Sequence, residues 1–513
     1  MDQTIEIIVS HQNRNSTMIS PELHSHFIEF LGTCNYEGIW VGEDSEVPNI
    51  GGFRREIIEG FKQLEPPVIR WPGGCYADTY HWRDGIGNRT DRPVTYNENF
   101  GTYERDTNQF GTDEFLRFCK IVGAKPWINI NMLSGSIAEM REWMEYCNRE
   151  ENTSISAERV RNTSQQIVPV EYWGLGNEVW GGGGMMTAQG YAQEYRKFAT
   201  AMPSFSGIDK AEYTKMKRIA SGPDGNKPKE RVRWTIDFFN ELAQYRMPPI
   251  DGYDLHFYNW NMKQISQNEV EFDRIEWDEV IQSSFELEEV IQEQRALIEQ
   301  GLAQIPEPEG FFPAPPKQCA LIVGEWGNWH ASAFRNRPAL FQQCTMRDAV
   351  TTALTLDIFH RNADKVQMAC VAQSVNVLNS LFLTDKENCI RTPNFDVFDM
   401  YKVHKGACLA EIRGEKSKNL YSMASTNGEY LNVNLVNASY DKQTNLFIRL
   451  PKEWRFQHIK CLSSDRPNAC NTFSDPDRVR MKDGLAPIER EPGLFYFEIP
   501  AASVNVCQFA LSM

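Results

Sequence analysis

Eight short runs of strand type, each closing on a glycine, an asparagine or another polar residue, constrain the fold of this chain more than any other feature. They fall at 26–31, 67–71, 125–130, 170–176, 217–220, 253–258, 319–323 and 366–372, and helical patterns occupy the intervals. Strands that alternate with helices pair in parallel, because each helix returns the chain to the same edge. Eight such units predict an α/β fold, a (β/α)8 TIM barrel. Several helices can be placed from apolar spacing. Phe115, Phe118, Cys119 and Val122 recur at i, i+3, i+4 and i+7 ahead of Gly123. Ser136 with Glu139 makes a capping-box signature before Ile137, Met140, Met144 and Cys147, and Thr187 precedes Tyr191, Tyr195, Phe198 and Met202. Such stripes are core faces far more often than binding surfaces.

From about residue 401 the period changes to two. Leu431, Val433 and Leu435 follow an Asn427-Gly428 turn, and Leu446, Ile448 and Leu450, then Phe495 and Phe497, then Val504 and Val506 continue it. A C-terminal β-sandwich, jelly-roll-like, is expected. Ile5, Ile7 and Val9 alternate too, so the expected organisation is a catalytic barrel over 18–400 and a sandwich of 1–17 plus 401–513. Between the sixth and seventh strands an acidic insertion, 268–304, reads as long helix with a solvated face, followed by proline-rich 305–316.

Composition removes whole classes of function. A net charge of −16 argues against nucleic acid and against an anionic membrane surface, both of which attract basic faces. Met1 is followed by Asp2 and Glu6 with no basic or apolar leader, and no apolar run approaches the roughly 18 residues of a membrane span, so a soluble cytoplasmic protein is expected. The twelve cysteines stand singly without zinc spacing, so they read as reduced core thiols. Neither a metal nor a cofactor is expected. The run 181–184 is four glycines, but it lacks the Lys-[Ser/Thr] of a phosphate loop and reads as a flexible turn.

The chemistry lies at the strand ends. Glu178 follows the fourth strand and Glu325 the seventh, and βα loops of a parallel barrel converge on one mouth. Two facing carboxylates are the minimum for glycoside hydrolysis, one donating a proton and the other acting as nucleophile or base. Asn177 suits a hydrogen bond to a sugar hydroxyl beside the reacting carbon. Glu29, His256, Tyr258 and Gln373 end other strands of the same ring, and Trp71, Trp173, Trp180, Trp326 and Trp329 read as aromatic faces for sugar rings. Taken singly, a glutamate after a strand is more often a salt-bridge residue and a histidine more often structural. Arg70 and Asp84 read as structural ions at the rim, and Cys75 as pocket wall rather than nucleophile.

These segments resemble the glycoside hydrolase family 51 α-L-arabinofuranosidases. The likeness runs through His26-Phe-Ile-Glu-Phe-Leu-Gly32, Tyr36-Glu-Gly-Ile-Trp40, Arg70-Trp-Pro-Gly-Gly-Cys75, Tyr80-His-Trp-Arg-Asp-Gly-Ile-Gly87, Gly176-Asn-Glu178, His256-Phe-Tyr258, Glu325-Trp326 and Ala372-Gln-Ser-Val-Asn-Val377. The resemblance implies a retaining exo-enzyme that removes terminal non-reducing α-L-arabinofuranosyl groups from arabinan or arabinoxylan oligosaccharides. On it Glu178 matches the general acid/base and Glu325 the nucleophile. Glu29, Cys75, Asn177, Tyr258 and Gln373 match the arabinose pocket, with His256 beside them and Trp329 flanking it. It further implies metal independence and a homo-oligomer, commonly a hexamer. Gly324 departs from the usual Asp-Glu-Trp and removes a carboxylate beside Glu325. Two other readings stay open on the residues alone: a related barrel glycosidase cutting β-linked glucan or xylan internally, and a non-catalytic sugar-binding relative.

Overall fold

The computed structural model describes residues 3–8, 17–102, 104–150, 153–163, 168–203, 216–245, 249–264, 267–306, 318–414 and 419–512. All eight expected strands form: β1 (Ser25–Phe27), β2 (Val68–Trp71), β3 (Lys125–Ile130), β4 (Tyr172–Leu175), β5 (Lys217–Asp224), β6 (Gly252–Asn261), β7 (Ala320–His330) and β8 (Val366–Val371). They close a parallel barrel in sequence order, β8 pairing with β1. The first strand is shorter than expected. Beyond Phe27 the chain runs over the barrel mouth, where Ile28 N–H donates to Arg70 O at 3.0 Å and Phe30 N–H to Pro72 O at 3.3 Å. β6 and β7 are longer, staying paired from Gly252 opposite Ala320 to Asn261 opposite His330. Asn259 and Asn328 fall inside this longer paired stretch, and both are buried with the Asn259 amide donating to Asn328 Oδ1 at 2.9 Å.

The helices around the barrel follow their apolar stripes. Thr112–Val122 ends where Gly123 turns left-handed (φ +81°) and returns its N–H to Cys119 O, a conformation that favours glycine. Ile137–Asn148 begins with the Ser136 side chain accepting from Glu139 N–H at 3.1 Å. Only half of the expected capping box forms, since the Glu139 carboxylate turns to His81 at 3.0 Å. Ala188–Ala201 starts at Thr187 as expected.

The acidic segment 268–304 is not an insertion. It folds as Arg274–Ser283 and Glu286–Ala303, the helical layer that any barrel needs between β6 and β7. Its carboxylates lie on outer faces and dominate the composition, but Trp277, Ile281, Leu287, Ile291 and Ile298 are buried. Trp277 reaches the sandwich, its indole N–H donating to Ala438 O at 2.9 Å. Trp277→Ala is expected to cost about 3–5 kcal/mol of stability. Calorimetry checks this, and an unchanged Tm would restore the solvated reading. Most of the proline-rich stretch, 307–316, lies outside the described residues.

The C-terminal strands form a sandwich around Leu431, Val433, Leu435, Leu446, Ile448, Leu450, Phe495 and Phe497 of the period-two pattern, joined by Phe509, whereas Val504 and Val506 of that pattern pack into the larger core shared with the barrel. The N-terminal strand Gln3–Ile8 joins it, antiparallel to Cys408–Gly414 and parallel to Thr444–Arg449. Val9 lies outside the described residues. All twelve cysteines are free, and eight of them are buried. Among the described residues no helix is long and apolar enough to cross a membrane.

Candidate active site

Side chains alternate along a strand, so neighbours at a strand end face opposite ways. On β2, Arg70 points into the mouth while Trp71 points outward and stacks on Phe115 at 4.8 Å. On β7, Glu325 faces inward and Trp326 packs edge-on against Phe359 at 5.4 Å. Trp71, Trp173 and Trp326 are thus core residues, not the sugar platforms expected from sequence; of that set Trp180 and Trp329 keep exposed surface. Trp329 lies edge-on to Tyr258 at 5.0 Å and against Phe100 and Phe334 at 5.9 and 5.3 Å.

Glu325 is presented by a β-bulge. Leu255 pairs with Val323 and His256 with Glu325, so Gly324 is an extra residue in β7. Glu325 is 5% exposed; its Oε1 accepts from Arg70 Nη1 at 2.6 Å and its Oε2 from the Tyr258 hydroxyl at 2.7 Å. Arg70 also donates through Nη2 to Asn177 Oδ1 at 2.7 Å, and its guanidinium covers the Phe27 ring at 4.5 Å. Glu178 has a left-handed backbone (φ +40°), a conformation disfavoured for a residue with a Cβ. Its carbonyl is held by the N–H groups of Gly181 at 2.7 Å and Gly183 at 3.2 Å. A Cβ on Gly183 would lie 1.9 Å from Asn177 O. The four-glycine run is therefore the tight turn that fixes Glu178, not a slack loop.

His256 stands between the two glutamates. Its Nδ1 is 2.8 Å from Glu178 Oε1 and 3.5 Å from Glu325 Oε1, and its Nε2 is 3.3 Å from Asp254 Oδ2. Oxygens of Glu178 and Glu325 approach within 4.8 Å of each other. Burial alone would depress the imidazole, but Glu325, Asp254 and Glu178 outweigh it and push its pKa up to about 10. Burial raises Glu178 above the usual carboxylate range, with Glu325 adding to the rise and His256 opposing it. Burial also penalises the charge on Glu325, yet His256 and Arg70 overcome that penalty and hold it below the usual range. One carboxyl is thus biased to hold a proton and the other to be ionised. Glu178, His256 and Glu325 have a spacing that a cation would accept, but Arg70 and the imidazolium already place positive charge there.

The other expected residues gather at the same mouth. Glu29 is buried, its carboxylate accepting from Tyr76 N–H at 3.0 Å, Asn99 Nδ2 at 3.1 Å and Gln373 Nε2 at 2.7 Å. Burial and nearby Glu325 push its pKa up to about 7. Cys75 Sγ lies 3.9 Å from Glu178 Oε2, and burial raises its thiol pKa, which suits a wall rather than a nucleophile. Arg70, expected as a rim ion, is fully buried against Glu325. Asp254 and Asn99 are absent from the sequence reading. The available signal for Asp254 was its position, two residues before His256 and so on the same face of β6. Asn99 comes from a loop that no periodicity marks. Gly324, read as a missing carboxylate, has one after all: its N–H donates to Asp254 Oδ1 at 2.6 Å.

This arrangement defines a barrel glycosidase with two unlike carboxylates at one mouth. Residues 60–276 match the family model of the α-L-arabinofuranosidase 1 domain and 324–503 that of the α-L-arabinofuranosidase C-terminal domain. The chain is 32% identical to the intracellular exo-α-L-arabinofuranosidase of Bacteroides ovatus, over 97% of this chain and 94% of the relative. The crystal structure of the GH51 arabinofuranosidase from Xanthomonas axonopodis pv. citri aligns over 99% of this chain and 100% of its own, with 27% identity and a TM-score of 0.88. The Thermotoga maritima α-L-arabinofuranosidase, solved as an arabinose complex, aligns over the same shares at 26% identity and a TM-score of 0.82. The chain belongs to the glycoside hydrolase family 51 α-L-arabinofuranosidases.

Proposed function

We propose that the chain removes terminal non-reducing α-L-arabinofuranosyl groups from arabinan and arabinoxylan oligosaccharides by double displacement. Glu178 donates a proton to the glycosidic oxygen as Glu325 attacks the anomeric carbon. Glu178 then takes a proton from the water that releases arabinose. The observation that carries this reading is the pair itself: oxygens within 4.8 Å, with Glu178 biased to protonation and Glu325 to ionisation. Inverting enzymes leave roughly 6.5–9.5 Å between carboxyl groups for an attacking water. Once Glu325 is esterified its charge disappears, which lowers the pKa of Glu178 and makes it a base.

Glu29, Cys75, Asn177, Tyr258 and Gln373 line the arabinose pocket in this reading, His256 sets the charge on the pair, and Trp329 flanks the entrance. No metal or cofactor enters the steps. The catalytic unit is assigned to 18–400 and the sandwich to 1–17 with 401–513. A cytoplasmic location is supported by the twelve free cysteines and by the intracellular relative. The homo-oligomer, a hexamer by resemblance, is tested by light scattering. Digestion of arabino-oligosaccharides of defined linkage, with NMR of the first-formed product, tests the reaction. Release of arabinose as the α-anomer from chain ends is expected, and internal cleavage or a β-anomer would overturn the reading.

A further inference from the structure

One carboxylate at the mouth takes no part in these steps. Asp254, on β6, is 7% exposed and touches the supports of both catalytic groups. Its Oδ1 accepts the Gly324 N–H at 2.6 Å, and its Oδ2 stands 3.3 Å from His256 Nε2. Gly324 is the bulge residue of β7, where the regular ladder is interrupted, and a buried N–H there needs an acceptor. The same imidazole turns Nδ1 to Glu178 at 2.8 Å. A Cβ on Gly324 would lie 2.3 Å from Asp254 Oδ1 and 2.4 Å from Oδ2, so this carboxylate fills the space a side chain before Glu325 would occupy.

We propose that Asp254 is a positioning residue that ties the two catalytic glutamates together, fixing the bulge that presents Glu325 and the orientation of His256 against Glu178. The proposal rests on the double-displacement reading above. A single carboxylate thereby sets both distances, because each of its oxygens serves one of the two groups. It also sets charge. The charged groups facing His256 are Glu178, Glu325 and Asp254, with Arg70 beyond Glu325 and Asp224 of β5 nearby. Asp254 favours the imidazolium, and the imidazolium favours ionised Glu178. Removing the charge at 254 therefore raises the Glu178 pKa and moves the alkaline limb of kcat/KM to higher pH.

Asp254→Asn keeps an acceptor for Gly324 N–H and removes the charge. On an aryl α-L-arabinofuranoside it is expected to lower kcat about 100-fold with KM little changed, to move the alkaline limb upward and to leave Tm nearly unaltered. Gly324→Asp alone places a second carboxylate in occupied space and is expected to be inactive. The reciprocal pair Asp254→Gly with Gly324→Asp returns one carboxylate to that space from the neighbouring strand. It is expected to recover to within about tenfold of the parent, the scale of one hydrogen bond. A parental kcat and alkaline limb in a folded Asp254→Asn variant would overturn the proposal, as would a double variant no better than Asp254→Gly alone. Either result with an inactive Glu325→Ala variant leaves the double displacement standing, whereas an active Glu325→Ala variant removes both.

Discussion

Glu325→Ala is expected to abolish turnover of an aryl α-L-arabinofuranoside, by about 10⁴-fold or more, because no other group can form the covalent intermediate. The vacated space lies beside Arg70 and Tyr258, which donate to the carboxylate, and 3.5 Å from the His256 imidazole, so the site favours a small anion. Azide added to the variant is therefore expected to restore activity and to give the β-arabinofuranosyl azide, inverted at the anomeric carbon. A retained α-azide would instead mark Glu325 as the acid/base, with azide attacking a glycosyl-enzyme formed on another carboxylate, so the anomer of the azide product assigns the role of Glu325. If Glu325→Ala kept most of its activity, the nucleophile would have to be sought elsewhere.

The second large effect is expected at Arg70, which is fully buried and joins β2 to Glu325 and Asn177. Arg70→Met keeps most of the side chain's bulk and removes its charge and donors. Leaving a buried carboxylate without its partner costs about 3–5 kcal/mol, so a marked fall in Tm is expected. The pH profile provides a separate readout. The folded-state pKa of Glu325 is depressed, so its ionised form is favoured above the unfolded value and that advantage is lost as pH falls through the folded value. Without Arg70 the folded pKa rises, and the acid limb of kcat/KM moves to higher pH. His256 and the Tyr258 hydroxyl then oppose the burial penalty. An unshifted acid limb in a folded variant would show that Arg70 supports the fold without holding the nucleophile ionised.

Much of the site was legible because strand ends are legible. A polar residue closing an apolar run of strand type marks the rim of a barrel, and Glu29, Glu178, His256, Tyr258, Glu325 and Gln373 all carry that signal. The misreadings share a cause. Trp71 and Trp326 stand next to rim residues in sequence, but pleating sends them to the helical layer. Arg70 looked like an ordinary ion since nothing local reveals that a strand two units along the chain and one far beyond it place Asn177 and Glu325 against it. The acidic segment 268–304 was judged by charge on its outer faces, while the buried Trp277 stripe is what anchors it.

By itself the sequence determined the eight βα units, the sandwich that follows and the place of two glutamates at strand ends, because periodicity and polar strand ends are local properties of the chain. Which of those glutamates is biased toward holding a proton is set only by the tertiary structure. Both are carboxyls of the same intrinsic acidity, and the difference between them comes from Arg70 of β2 and from His256 and Tyr258 of β6, brought from two other segments to within hydrogen-bond reach. The same holds for Gly324. In sequence it is a lost carboxylate, and in the fold it is the space that lets Asp254 enter from the adjacent strand.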